Sequence, residues 1–152
     1  DHCASSSGKT ELPMDKYRIP AMVFGPSIKP QICNKLMSQI DVMPTVFGLL
    51  NFSYTSKFYG QNVLKDDYKP RAFIATYQNL GLVKDNVLTI ISPKQQVKQF
   101  DLSVINNPKL SSDFQIFYEE KLIKKERTDL IQETISYYQT ASEMLKNKRY
   151  QK

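Results

Sequence analysis

A carboxylate and an imidazole stand side by side at Asp1 and His2, followed by a small-residue loop, Ser5-Ser6-Ser7-Gly8, and then by Lys9. Asp and His are standard ligands of Zn or Mn. Two neighbours in a loop can both turn to one ion, whereas the same pair in a strand would point apart. A catalytic zinc usually takes three protein ligands, and His2 is the only histidine of the chain, so a metal held by this pair draws its remaining ligands from elsewhere. Lys9 offers an ammonium that reaches an anionic substrate as a point charge; the plainer reading is a solvated loop lysine. Gly8-Lys9-Thr10 matches the end of a phosphate-binding P-loop, but Cys3 stands where the first glycine is required, so a nucleotide site is rejected. With one histidine and no G-x-S-x-G, Ser5, Ser6 and Ser7 are plain loop residues.

The elements that must position these groups are legible in outline. Residues 1–18 read as a polar loop. Ile19–Phe24, IPAMVF, is a short apolar run closed by Gly25-Pro26, which suits a buried strand of a parallel or mixed sheet. Ile32, Leu36, Ile40, Met43, Phe47 and Leu50 recur at helical steps. Pro44 divides that pattern, so two helical pieces are expected, the second capped by Asp41 and turning its apolar stripe to the sheet. Residues 51–70 read as a loop whose aromatics, Phe52, Tyr54, Phe58 and Tyr59, pack on the body. Base stacking on them is the lesser reading, because no Arg-rich groove flanks them. Between 71 and 104 the period becomes that of strands: AFIATY, NVLTIIS and VKQFDLS, with an Asp85-Asn86 turn, predict a small antiparallel meander. Residues 113–119 alternate weakly and suit an edge strand. From Leu122 the helical period returns through Ile123, Leu130, Ile131, Ile135, Tyr138 and Leu145, predicting a long amphipathic C-terminal helix with Thr128-Asp129 near its start.

Bulk properties narrow the class. The 152 residues are enough for one domain with a real core. No apolar run reaches the length of a membrane span, and the polar, acidic start is not a signal peptide. The chain opens on Asp-His rather than Met, and the expectation is that an upstream portion precedes it. The net charge is +6, from 21 Lys+Arg against 15 Asp+Glu. It reads as a lysine-rich solvated surface, since no basic run is long enough to mark a nucleic-acid patch. Cys3 and Cys33 are read as two small buried thiols in preference to a disulfide.

Taken in order, DHCASSSGKTELPMDKYRIPAMVFGP and SQIDVMPTVFGLLNFSYTSKFYGQNVL resemble the C-terminal part of the sulfatase-like enzymes of the alkaline phosphatase superfamily, in particular the branch of lipoteichoic acid synthases and membrane phosphoglycerol transferases. The likeness covers residues 1–64 and extends more loosely over the meander and YYQTAS at 137–142. It implies an α/β fold, the C-terminal portion of an alkaline-phosphatase-like sandwich, with residues 1–70 belonging to the catalytic domain, 71–120 forming an antiparallel β subdomain of the same unit and 121–152 the C-terminal helix. It also implies that Asp1 and His2 are ligands of a divalent metal (Mn, Zn or Ca), that Lys9 touches the transferred group, and that the nucleophile lies upstream. The IDVMPT segment is structural in that family.

The metal would lower the pKa of the nucleophilic hydroxyl and neutralise charge on a transferred phosphoryl or sulfuryl group, in a reaction passing through a covalent enzyme intermediate. The implied partners are an anionic lipid or a sulfate or phosphate ester, with no nucleic acid. The implied location is the cell envelope, with a membrane-anchored parent. Alone, the chain is expected to be inactive and to self-associate. A true sulfatase and a non-catalytic binding or scaffold module are the alternatives.

Overall fold

The computed structural model describes residues 12, 14–57, 59–105 and 117–150. The elements are a one-turn helix α1 (Met14–Tyr17), a 3-10 turn (Gln39–Asp41) running into α2 (Val42–Leu49), strands β1 (Ala72–Ala75), β2 (Leu80–Lys84), β3 (Val87–Ser92), β4 (Gln96–Val104) and β5 (Tyr118–Leu122), and α3 (Thr128–Lys146). The chain divides into two units: residues up to Ile19 together with Phe73–Lys152, and Pro20–Ala72. The sheet and the C-terminal helix, expected as separate segments, share one unit.

The sheet unit is the α/β part of the chain, a five-stranded meander in the order β1-β2-β3-β4-β5. Its turns follow from local chemistry. Asp85 and Asn86, both at positive φ, make the two-residue turn between the paired residues Lys84 and Val87, and the Asn86 carbonyl accepts from the Leu102 N–H at 2.8 Å. The β3–β4 connection carries Lys94 and Gln95 at positive φ, a less favoured choice of residues for that conformation. β2 adds a strand to those the sequence predicts; its LGLVK reads as turn context until Val87–Ser92 is available to pair with it.

The register sorts the side chains into two faces. Leu82 pairs with Thr89 and Lys84 with Val87, so these share one face. Helix α3 covers that face. The Lys84 ammonium meets the Glu133 carboxylate at 2.6 Å, and the Phe73 ring packs edge-on to Tyr137 and Tyr138, with centroids 4.9 and 6.1 Å apart. The Tyr138 hydroxyl donates towards the carbonyls of Gly81 at 2.9 Å and Ile74 at 3.3 Å. Gln99 fixes where the helix begins: its Oε1 accepts from the Arg127 N–H at 2.7 Å, and its Nε2 donates to the Arg127 carbonyl at 3.1 Å and to Thr89 Oγ1 at 2.9 Å. Helix α3 therefore starts at Thr128 rather than near Leu122. Its buried contacts centre on Leu130 and Thr134, while Leu145 is exposed.

On the opposite face stand Ile74, Gly81, Val83, Leu88 and Ile90. The segment around α1 closes over it: a Cβ at Gly81 would come within 2.9 Å of both Leu12 and Ile74, and the Met14 N–H donates to Glu120 on β5 at 3.0 Å. Burying Leu82 and Leu88 stabilises the unit by about 1.5–3 kcal/mol each.

The second unit departs from the sequence expectations at several points. IPAMVF at 19–24 is not a strand: the segment has no regular structure, and Met22 and Phe24 are 90% and 95% exposed. A strand needs a neighbour for its backbone groups, and none of the described strands pairs with it. The helical piece expected from residue 31 is also absent before Gln39. There the Leu36 carbonyl lies 2.8 Å from the Tyr68 hydroxyl, and the Lys35 ammonium reaches the carbonyls of Val63 and Lys65. Those contacts draw the chain into an irregular path. Pro44 sits in the first turn of α2, where its missing N–H costs no helical bond. Phe52 and Tyr54 do not bury against the body; they pack on Phe47 and stay about half exposed. Cys33 is an exposed free thiol, not a buried one.

Candidate functional site

The residues singled out for chemistry, Asp1, His2 and Lys9, lie outside the described residues, as does Cys3. The described residues bring together a buried ion pair with its polar partners in the second unit. It is built on Asp41, which closes the 3-10 turn and stands as the N-cap position of α2. Ser38, Tyr68 and Arg71 come to it from the flanking chain.

Asp41 is 0% exposed and Arg71 is 1% exposed. The pair is bidentate: Nη1 meets Oδ2 at 2.9 Å and Nη2 meets Oδ1 at 3.0 Å. Such a fork matches the planar guanidinium to the carboxylate and is the strong form of a charged hydrogen bond. Asp41 Oδ1 also accepts from the Gln61 N–H at 2.7 Å, and Oδ2 from the Ser38 N–H at 2.9 Å. Arg71 Nη2 donates further to the Tyr59 carbonyl at 2.8 Å. The Tyr68 hydroxyl lies 3.1 Å from Asp41 Oδ2 and shares its one hydrogen between that oxygen and the Leu36 carbonyl. Burial, reinforced by the negative charge of Asp41, pushes the Tyr68 phenol up to about 12 despite the opposing effect of Arg71. Thr45, one turn into α2, donates to the Asp41 carbonyl at 2.7 Å and accepts from the Val63 N–H at 3.1 Å.

This geometry says what the group can do. A general base or metal ligand needs an accessible lone pair facing substrate or ion. Both oxygens of Asp41 are instead occupied by donors from Ser38, Gln61 and Arg71, and the carboxylate is sealed from solvent. The constellation ties the chain at 38–41 to the chain at 59–71. Its chemistry is structural.

Among the described residues there is no cluster of three or more His, Cys, Asp or Glu side chains that would hold a metal ion. An Asp-His pair remains a donor set suited to Zn or Mn. Asp41, the buried carboxylate of the second unit, is not available to complete it. The sequence marks Asp41 through IDVMPT but does not reveal Tyr68 and Arg71 as its partners. The available signal is the lone Arg71 directly before the apolar run AFIA, where a solvated cation would interrupt burial unless it were paired. No helix among the described residues is long and apolar enough to cross a membrane. No family model matches the chain, and no solved structure matches its fold.

Proposed function

We propose that this chain is the C-terminal part of a metal-dependent phosphotransferase of the cell envelope, acting on phosphoglycerol or a related phosphodiester group. The observation that supports it is the ordered set of residues 1–64: the Asp1-His2 pair, the RIP segment at 18–20, and IDVMPT at 40–45. That set resembles the C-terminal part of the sulfatase-like enzymes more specifically than any of its members does alone. Asp41 fits the scaffold role which the likeness gives to IDVMPT, because its carboxylate is wholly engaged in holding backbone and Arg71.

In this reading Asp1 and His2 bind a divalent metal together with ligands from the upstream portion, and Lys9 steadies the anionic group being transferred. The metal, when bound, supplies Lewis-acid stabilisation of phosphoryl charge. The chain by itself carries neither the nucleophile nor a full ligand set and does not turn over. The parent is anchored in the membrane with its catalytic domain outside. A sulfatase on the same scaffold is the second reading, because phosphoryl and sulfuryl centres share tetrahedral shape and negative oxygens, and the Asp-His pair serves either.

The deciding experiment is to read the gene upstream of the Asp1 codon, express the joined protein and assay it with a phosphodiester and a sulfate ester, with and without Mn²⁺. Membrane helices followed by a Thr nucleophile, with metal-dependent phosphodiester turnover lost in His2→Ala, are expected. Sulfate-ester turnover alone would replace the phosphotransferase with the sulfatase. Turnover by the isolated 152-residue chain, or the lack of any catalytic portion upstream, would overturn the proposal.

A further inference from the structure

The chain from Leu12 to Tyr17 is tied to the sheet of its own unit at three points. The Leu12 side chain is 1% exposed and sits over β2, where Gly81 leaves room for it: a Cβ at Gly81 would come within 2.9 Å of Leu12 Cδ1. The Met14 N–H donates to Glu120 Oε1 on β5 at 3.0 Å. Met14 opens α1, so this N–H has no partner within the helix, and Glu120 supplies one from far along the chain. The Tyr17 hydroxyl donates to the Ala75 carbonyl at the end of β1 at 3.2 Å. The register puts Gly81 and Glu120 on the same face of the sheet. Gly81 pairs with Ile90, Ile90 with Lys98 and Leu102 with Glu120, and Lys98 and Leu102 stand an even number of residues apart on β4. One apolar and two polar contacts, made to β1, β2 and β5, thus fix a single short stretch.

We propose that this anchor sets the position of Lys9, and that Leu12, Gly81 and Glu120 are positioning residues for the anionic group being transferred. The inference rests on the reading of Lys9 as the residue that steadies that group. Lys9 lies outside the described residues, but it precedes Leu12 by only three positions. Consecutive Cα atoms are about 3.8 Å apart, so the Cα of Lys9 stays within about 11 Å of that of Leu12. A lysine ammonium acts as a point charge on a flexible stem, so the backbone that carries it decides where the charge is delivered. The same tether does not place the metal-ligand pair. His2 and Asp1 stand ten and eleven positions before Leu12, a reach of about 35 Å. The sheet unit therefore serves the anion-contacting residue and leaves the metal ligands to other parts of the protein.

The anchor itself is tested on the intact chain by amide hydrogen exchange. The Met14 amide should be protected, and Leu12→Ala and Glu120→Ala should each speed its exchange about tenfold or more while the β2–β4 amides keep their protection. Its action on Lys9 is tested in the joined protein with bis(p-nitrophenyl) phosphate. Lys9→Ala and Leu12→Ala should each lower kcat/KM about tenfold or more, because a misplacement of about 1 Å is enough for such a loss, and Leu12→Met should restore most of it. In the Lys9→Ala background Leu12→Ala should cost nothing further, as expected of a residue that acts through another, whereas a merely structural Leu12 gives losses that add. The half-saturating Mn²⁺ concentration should not change in Leu12→Ala. If Leu12→Ala disturbs folding, Glu120→Ala, at an exposed residue, takes its place in the cycle. An unprotected Met14 amide, losses that add in full, or a shifted Mn²⁺ dependence would overturn this inference alone. Lys9→Ala without effect, or a joined protein without phosphodiester turnover, would remove the proposed role of Lys9 and this inference with it.

Discussion

Leu88 and Asp41 are equally sealed, each 0% exposed, yet they anchor their units by opposite means. The sheet unit buries aliphatic side chains on both faces, Leu88 on one and Leu82 on the other, and leaves charge at the rim, where Lys84 meets Glu133. Around Asp41 the second unit buries an ion pair, a phenol and backbone amides, and leaves Ile40, Met43 and Leu50 in solvent. The apolar plan gains free energy in proportion to area and tolerates small losses. The ionic plan has little net gain over a well-packed apolar replacement, but it fails sharply when half of it is removed, because the remaining charge is stranded. The sheet unit therefore owes its stability to quantity of burial. The second unit owes its shape to a few exact partners.

The largest expected effect tests the ionic plan. Arg71→Met should destabilise the second unit by about 3–5 kcal/mol by leaving the Asp41 charge unpaired. Hydrogen exchange should show lost protection over residues 38–72 while the β2–β4 amides stay protected; uniform loss in both units would break the contrast. Pairing the change with Asp41→Leu should recover part of the loss, measured as a positive coupling in a double-mutant cycle. The apolar plan is tested by Leu88→Ala, expected to cost about 2–5 kcal/mol by denaturant melting, with protection lost first in β2–β4.

A smaller effect, shared by both units, comes from pH. Burial pushes the phenols of Tyr68 and Tyr138 up to about 12. Their folded values lie above the ordinary tyrosine value near 10, so their contribution is fully present below about pH 10 and declines as pH rises towards about 12. Tyr138→Phe should flatten that alkaline decline in the sheet unit, and Tyr68→Phe in the second, as followed by melting temperature against pH.

The smallest expected change is a gain. Lys148 holds positive φ just beyond α3, where its N–H returns to the Leu145 carbonyl and that of Arg149 to Met144. This is a Schellman ending that favours glycine. Lys148→Gly should raise stability by a few tenths to about 1 kcal/mol, visible as a small rise in melting temperature.

Much of the sheet unit was legible because its signals are local. Asp85-Asn86 names its own turn, Val87–Ser92 its strand, and the spacing around Leu130 and Tyr138 its helix. The second unit was less legible because its determinants are distant in sequence. That Leu36 offers its carbonyl to Tyr68, and that Asp41 takes Arg71, cannot be read from a 3.6-residue period. That period identifies the apolar positions around α2, but periodicity does not show that Asp41 and Thr45 are the buried ones and that Ile40, Met43 and Leu50 are exposed. IPAMVF misled for a related reason: composition records a preference for a sheet, but not whether a neighbouring strand is present.

The Asp41–Arg71 fork also bears on how this chain can change over generations. The two residues sit on opposite sides of the aromatic loop, and the loss of either strands the other in a sealed, low-dielectric site. Drift at one position alone is a route through unstable intermediates. Among descendants of this sequence, the pair should persist unchanged or be exchanged together for an apolar couple of similar volume. The exposed Ile40, Met43 and Leu50, outside that pair, are free to vary one position at a time.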